Sequence, residues 1–421
     1  MVRKLGLLFI ICIGFQAAAQ QKCSIEEYTK RQLDADPSLQ NKFSQIEQFT
    51  KSKTAAANEA QRVQQPLSET IKVPVVVHVL YHTPDQNIQK AAIDVLMNAL
   101  NRDFNKKNFD TVNIPAVFKP YAVSMGFQFK LATRDPKGAG TNGIVRKYTP
   151  VKYWLSDDKM KFSSEYGDDA WDTKSYLNIW LCNMQDVLGY SSLPGMDEKL
   201  DGVVVSFEDI FNPRQTTPGQ NDSRTIVHEV GHWLNLFHLW GDGYCGDDKV
   251  DDTPKQGTYT PGCPSGARMS SCNNTSTSTG DMYMNFMDFT DDICMNMFTK
   301  DQKKRARALF DAGGARRSII YSKGLEASSI EGADLPDFYP KWMYAQVYPN
   351  PVSSILNIYF DYDERWVGQT LKILDMSGRA VLNIKVQSRI QTIDVSGLQK
   401  GVYFIYAKKD LEKINAKFVK L

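Results

Sequence analysis

The sequence predicts an α+β protein in two folded parts: a larger unit of mixed strands and helices, then a small all-β sandwich. At 421 residues the chain exceeds one ordinary core. Between about residues 70 and 207, apolar β-branched runs are separated by a helix-period segment and by Gly/Pro/Asp turns. From about residue 343 the pattern changes to short alternating strands with turn signals, and no cysteine or histidine follows. Apolar residues make up 42% and aromatic residues 11%, which fits a globular protein. The net charge of +2 offers no general electrostatic reason to bind nucleic acid or acidic membranes, so partners are expected at local sites.

The chain opens on MVRKLGLLFIICIGFQAAAQ, with Arg3 and Lys4 ahead of an apolar run that ends at Ala17, Ala18 and Ala19. This is the pattern of a secretory signal over residues 1–19, too short to span a bilayer stably. No later stretch reaches that length, so an exported protein without a transmembrane helix is expected. Residues 20 to about 68 are polar and helix-compatible, with no strong strand signal. IKVPVVVHVLYH then reads as a central strand. Ile93, Leu96, Leu100 and Phe104 place a helix within residues 86–105. FQFKLAT, YLNIWLC and DGVVVSF read as further strands. His78 and His82 lie on the first of these strands, about 13 Å apart, too far to share an ion, and are assigned a structural role. Residues 318–342 read as a linker, and 343–421 as the sandwich.

The five histidines are spent unevenly: three fall in HEVGHWLNLFH, at His228, His232 and His238. Ile226, Val227, Val230, Leu234 and Phe237 give this segment an apolar helical face. His228 and His232, one turn apart, project together from another. Two imidazoles at that spacing bind one zinc, and Glu229 between them is placed to polarise a water on the metal. His238 is the third candidate ligand. A straight helix over about 223–234 would rotate it away, so the chain must break after Leu234. Asn235 stands where a left-handed residue is wanted, and asparagine is the best tolerated after glycine. Ordinary core or surface histidines are the alternative, which the added His238 and the break residue argue against.

Cys245, Cys263, Cys272 and Cys294 crowd into the fifty residues after that segment. In an oxidising compartment they are expected to form two disulfides, and spacing leaves three pairings open.

The extended histidine motif resembles that of the metzincin metallopeptidases, and more narrowly the pappalysin family. The similarity continues in HLWGD, CGDDKVDDTPKQ, MNFMDFTDDICMNMFTKDQKKRARALF and, upstream, in VVVHVLYHTPDQNI, FKLATRDPKG and DGVVVSFEDIF, covering about residues 70–310. The resemblance implies a two-lobed metzincin-like catalytic domain, over residues 62–317, with a twisted mixed sheet and zinc in the cleft. It implies that His228, His232 and His238 hold the zinc, that Glu229 is general base and acid, and that Met287 forms a methionine turn beneath the metal. It pairs Cys245 with Cys272 and Cys263 with Cys294, and binds structural calcium at Asp242, Asp248, Asp251 and Thr253. Asp292 matches an S1′ aspartate that selects Arg or Lys, and Cys23 matches a thiol that caps the zinc in a pro-segment, residues 20–61. Cleavage at Gln61-Arg62 is then expected. Where the family usually has tyrosine this chain has Phe289, which leaves two readings: a peptidase acting on protein or peptide substrates, or a zinc-loaded but catalytically weak surface binding protein. The tail, with YPNP, LDMSGRAV and LQKGVYF, resembles the C-terminal sorting domain of the type IX secretion pathway of Bacteroidetes. It implies that machinery as a partner and a secreted or cell-surface location.

Overall fold

A computed structural model describes residues 21–55, 70–207, 223–264, 269–272, 279–327, and, within the tail, 342–421 except 344, 361–365, 367, 388–389 and 410–411. The expected signal and the Gln61-Arg62 bond lie outside the described residues.

Strand β1 (Gln21–Cys23), helices α1 (Ile25–Ala35) and α2 (Leu39–Ala55) come first. They are followed by β2 (Ile71–Tyr81), α3 (Lys90–Phe104), β3 (Phe127–Leu131), β4 (Ile144–Tyr148), β5 (Leu177–Cys182), β6 (Val187–Ser191) and β7 (Val203–Ser206). These strands form one mixed sheet in the order β1-β6-β7-β5-β2-β3, with β4 also on β2. Within it β6 alone runs antiparallel to its inner neighbour, β7, and β1 lies parallel to β6 at the edge. The near-continuous apolar run of β2 follows from its place in the middle, where both faces are covered. Val73, Val75, Val77 and Val79 face the apolar stripe of α3, formed by Ile93, Leu96, Leu100 and Phe104. Leu80, Trp180, Val204 and Tyr190 line the other face, and there Tyr28 of α1 joins them.

Two expectations are corrected. Residues 20–68 carry no strand signal in themselves, yet Gln21–Cys23 is a strand, because β6 offers it an open edge with Cys23 opposite Gly189. The linker does not begin at 318: Ile319 is buried in the main core, Thr133 donates to the Gly324 carbonyl at 2.8 Å, and Arg134 pairs with Glu326 at 3.4 Å. Polar composition there hides a short segment that packs through one isoleucine and its backbone.

Helix α4 (Arg224–Trp233) crosses under the sheet and is buried all round. Helix α5 (Lys300–Ala308) starts at a capping box, in which Thr299 Oγ1 accepts the Gln302 amide at 3.2 Å and Gln302 Oε1 accepts the Thr299 amide at 2.9 Å. The tail forms a three-stranded and a five-stranded sheet around Leu356, Ile358, Trp366, Leu371, Ile373, Ile405 and Phe418. Its LDMSGRAV turn closes because Asp375 Oδ1 accepts the amides of Ser377 and Arg379, at 3.0 and 3.1 Å, and Gly378 takes φ +81°. Among the described residues no helix is long and apolar enough to cross a membrane.

Candidate metal centre

Helix α4 stops where the sequence says it must. Asn235 has φ +68°, the Asn235 amide donates to the His232 carbonyl at 2.8 Å, and the Leu236 amide returns to Gly231 at 3.0 Å. That pair of bonds is a Schellman motif, which ends the helix and reverses the chain within two residues. Arg305 holds the turn from outside by donating Nε–H to the Asn235 carbonyl at 2.6 Å.

The reversal brings His238 to His228 and His232, with all three Nε2 atoms 3.0–3.1 Å apart. The Nδ1 atoms fix the tautomers. His228 Nδ1 lies 2.7 Å from the Phe286 carbonyl and His232 Nδ1 2.8 Å from the Leu236 carbonyl. A carbonyl only accepts, so both protons sit on Nδ1 and bare Nε2 lone pairs point at one another. His238 Nδ1 donates in the same way to Glu26 Oε1 at 2.5 Å. Burial first, and then His238, hold the His232 pKa down to about 3, so protonation does not relieve the crowding. A shared cation does: nitrogens at 2.0–2.1 Å from a tetrahedral zinc stand about 3.3 Å apart. The donor set therefore fits the ion.

Cys23 supplies a fourth donor. Its sulfur and the three histidines are buried, with their ligand atoms within 4.8 Å of one another, and this is the one such group of three or more among the described residues. Burial, followed by the facing Glu229 carboxylate, pushes the Cys23 thiol well above its ordinary pKa. A thiolate there needs a cation beside it. Glu229 lies under β6, and Gly189 permits this, since a Cβ at that position would stand 3.0 Å from Glu229 Cγ. Burial, the largest single influence, raises the Glu26 carboxyl, but the hydrogen bond and charge of His238 together with a backbone hydrogen bond bring the pKa down to about 2.

Met287 is beneath the helix, its backbone amide bonded to Asn285 Oδ1 at 2.9 Å, and Asn285 is in turn braced by Gln302. Phe289 stands 4.7 Å from the His238 ring and 5.3 Å from that of His228, forming with Trp240 and Tyr259 an aromatic wall. Asp292 is at the N-terminus of α4, where its Oδ2 accepts the Arg224 amide at 3.0 Å. The structure joins Cys245 to Cys272 and Cys263 to Cys294, with Cα atoms 5.7 Å apart in each. Cys182 is a free buried thiol in β5. In the acidic loop, Asp248 accepts the Thr253 hydroxyl at 2.7 Å, and burial pushes its carboxyl up to about 7. Asp242 and Asp251 are exposed, and among the described residues the carboxylates of Asp242, Asp248 and Asp251 do not form a cluster as the histidines do. His78 is buried between Asp168 and Asn178, at 2.7 and 3.0 Å, away from the metal centre.

The residues that sequence reasoning missed are those acting across long separations: Gly189, Glu26 and Arg305. A glycine inside an apolar strand, in VLGYS, was the available signal for the first. The other two carry none.

Comparison with known proteins bears on the same residues. Residues 161–311 match the family described as pregnancy-associated plasma protein-A, and residues 346–421 match the secretion system C-terminal sorting domain. An extracellular metalloprotease of Arthroderma benhamiae is 30% identical over 250 residues, 57% of this chain and 77% of the relative. One from Verticillium alfalfae is 38% identical over 140 residues, 31% of this chain and 49% of that one. Mature mirolysin of Tannerella forsythia, solved with a cleaved peptide, is 44% identical, with TM-score 0.58 over 63% of this chain and 100% of its own. A promirolysin variant from the same organism is 40% identical, with TM-score 0.64 over 72% of this chain and 97% of that one.

Proposed function

We propose a division of catalytic labour from the premise that this chain belongs to the pappalysin family, described as pregnancy-associated plasma protein-A. The protein is a secreted or cell-surface zinc metalloendopeptidase carrying a C-terminal secretion sorting domain. In the proposed division His228, His232 and His238 hold the zinc, and Glu229 is general base and then general acid. Zinc bound there would polarise a peptide carbonyl and acidify water. When Cys23 leaves, a water entering beside Glu229 passes a proton to its carboxylate. The water oxygen bonds to the peptide carbonyl carbon, and Glu229 then delivers that proton to the amine nitrogen as the C–N bond breaks. Neutral His228 and His232 suit this role, since their Nδ1 protons stay committed to the Phe286 and Leu236 carbonyls, whereas Glu26, the partner of His238, leaves with the pro-segment.

The supporting observation is the meeting of three bare Nε2 atoms beside a buried carboxylate. Glu229→Ala, with zinc content measured, is the direct test. Full zinc loading with loss of chelator-sensitive casein cleavage is expected. Retained cleavage would remove Glu229 from the chemistry. If the unaltered mature protein loads zinc and cuts nothing, the surface-binding reading motivated by Phe289 takes over.

Maturation belongs to the same reading. We place a zymogen pro-segment at residues 20–61, with Cys23 as cap and release at Gln61-Arg62. Cys23→Ala is expected to hasten release, and unchanged timing removes the cap. A preference for Arg or Lys after the cut rests on Asp292. Calcium at Asp242, Asp248, Asp251 and Thr253 is supported only by the Asp248–Thr253 contact, and no catalytic step depends on it.

A further inference from the structure

Five residues after Cys23, the side chain of Tyr28 enters a socket on the opposite face of the edge strand from Glu229. Tyr28 is fully buried there, its ring 4.9 Å from that of Tyr190 on β6. Its hydroxyl donates to Asp158 Oδ1 at 3.2 Å, and the Tyr190 hydroxyl donates to the same oxygen at 3.0 Å. Lys161, 1% exposed, pairs with that oxygen at 2.7 Å and donates to the Leu200 carbonyl at 2.7 Å. Its ammonium lies 5.4 Å from the centre of the Tyr28 ring, 4.9 Å from that of Tyr190 and 5.4 Å from that of Trp180. Burial, followed by Asp158, pushes both phenols well above their ordinary pKa, so each remains an O–H donor.

Apart from Tyr28 and Gln32, which donates to Asp158 Oδ2 at 3.0 Å, the groups named in the socket belong to the part of the chain after residue 70. Asp158, Lys161 and Tyr190 are tied to one another and to Leu200, so the acceptor oxygen and the ammonium stay in place when α1 departs. The vacancy is specific in chemistry. It offers a flat apolar slot, a cation over the ring face, and a carboxylate oxygen at the end. A phenol satisfies all three, a benzyl group the first two, and an aliphatic side chain only the first.

We propose that, once the pro-segment has left, this socket takes a tyrosine side chain of the peptide substrate and so contributes to specificity. The proposal rests on the reading of residues 20–61 as a removable pro-segment. Tyr28 is the visible stand-in for the occupant, and its path shows the reach. The chain leaves β6 at the register where Cys23 opposes Gly189, then makes one helical turn to Tyr28. One turn advances about 5 Å, so an extended substrate covers the distance in about two to four residues.

The experiment uses the mature protein, its N-terminus read by mass spectrometry, and a quenched fluorescent peptide in which a single tyrosine is walked through five positions on each side of the cut. At one position tyrosine is expected to raise kcat/KM over alanine by about tenfold or more, mainly through KM, with phenylalanine about three- to tenfold below tyrosine. In a second arm, a synthetic peptide of residues 24–36 competes with substrate. Its Ki is expected to rise about tenfold or more with Tyr28→Ala and by less with Tyr28→Phe. A walk flat within twofold, on protein whose chain starts at Arg62, overturns the socket proposal alone. A mature chain still carrying Tyr28 overturns the socket and the pro-segment reading together.

Discussion

The sulfur of Met287 lies directly beneath Gly231, so close that a Cβ on that glycine would stand 2.4 Å from it. Residue 231 separates the metal helix from the methionine turn by the thickness of one backbone. Gly231→Ala should lower stability even though alanine is the better helix former by about 1 kcal/mol. Overpacking in a filled core costs about 1–3 kcal/mol, and Met287 is fully buried. Adding Met287→Ala should make the pair less than additive, because the clash is then relieved. Denaturant midpoints of the four proteins check this, and a higher midpoint for Gly231→Ala alone would contradict it.

Asn235 separates two costs in the turn that delivers His238. Its φ of +68° suits glycine, so Asn235→Gly should stay within a few tenths of a kcal/mol, while Asn235→Ala should cost about 1–2 kcal/mol. The alanine variant should also hold zinc less tightly, because the Leu236 carbonyl that orients His232 belongs to the same turn. Zinc retention against a graded chelator measures the second effect. Equal retention in all three proteins would show that the turn does not set the ligand geometry.

Glu47 anchors α2 to the unit that carries the histidines. Its carboxylate takes Arg305 Nη1 and Nη2 at 3.1 and 2.5 Å, while the Nε of the same guanidinium holds the Asn235 carbonyl. Charge-assisted bonds of this kind contribute about 1.5–3 kcal/mol. Glu47→Ala should therefore speed loss of the pro-segment severalfold, with a smaller change for Glu47→Asp. The time course of maturation on gels decides it, and identical half-lives would make the contact incidental.

These three cases show which parts of the fold and site were legible in the amino-acid order. His228, Glu229, His232, Asn235 and His238 stand within eleven consecutive residues, so helical spacing and the left-handed tolerance of asparagine sufficed. The strand β2 and the tail sandwich were legible because burial on two faces or one face writes a short-range pattern. Gly189, Glu26 and Arg305 act on partners 40 or more residues away, and no local period encodes such a meeting. β1 escaped notice for a related reason, since it is a strand only because β6 has a free edge.

Asp201 makes stability depend on acid. Burial would raise its carboxyl, but the charge and bonds of Arg316, at 2.8 and 2.9 Å, hold it below the ordinary value. A folded pKa below the unfolded value of about 3.9 contributes stability that is present above that value and lost as pH falls through the folded one. Asp201→Asn should therefore cost about 3 kcal/mol at pH 7, with the gap to the unaltered protein narrowing below pH 4. Urea midpoints at neutral and acid pH test the sign, and a gap that widens in acid would refute it.

Asp292 is asked to do two things, and one substitution separates them. As an acceptor for the Arg224 amide it supports the start of α4, a contribution of about 0.3–1 kcal/mol for an acid at a helix N-terminus. As a proposed specificity group it supplies a negative charge to an Arg or Lys side chain after the cut. An asparagine in its place would keep an oxygen for the amide but remove the charge, so Asp292→Asn should lower stability by less than about 1 kcal/mol. The ratio of cuts before Arg or Lys to cuts before other residues should fall about tenfold or more, as loss of a charge-assisted contact implies. Cut-site mapping in a denatured proteome reads the ratio directly. An unchanged ratio with a lowered unfolding midpoint would leave Asp292 as a helix cap alone.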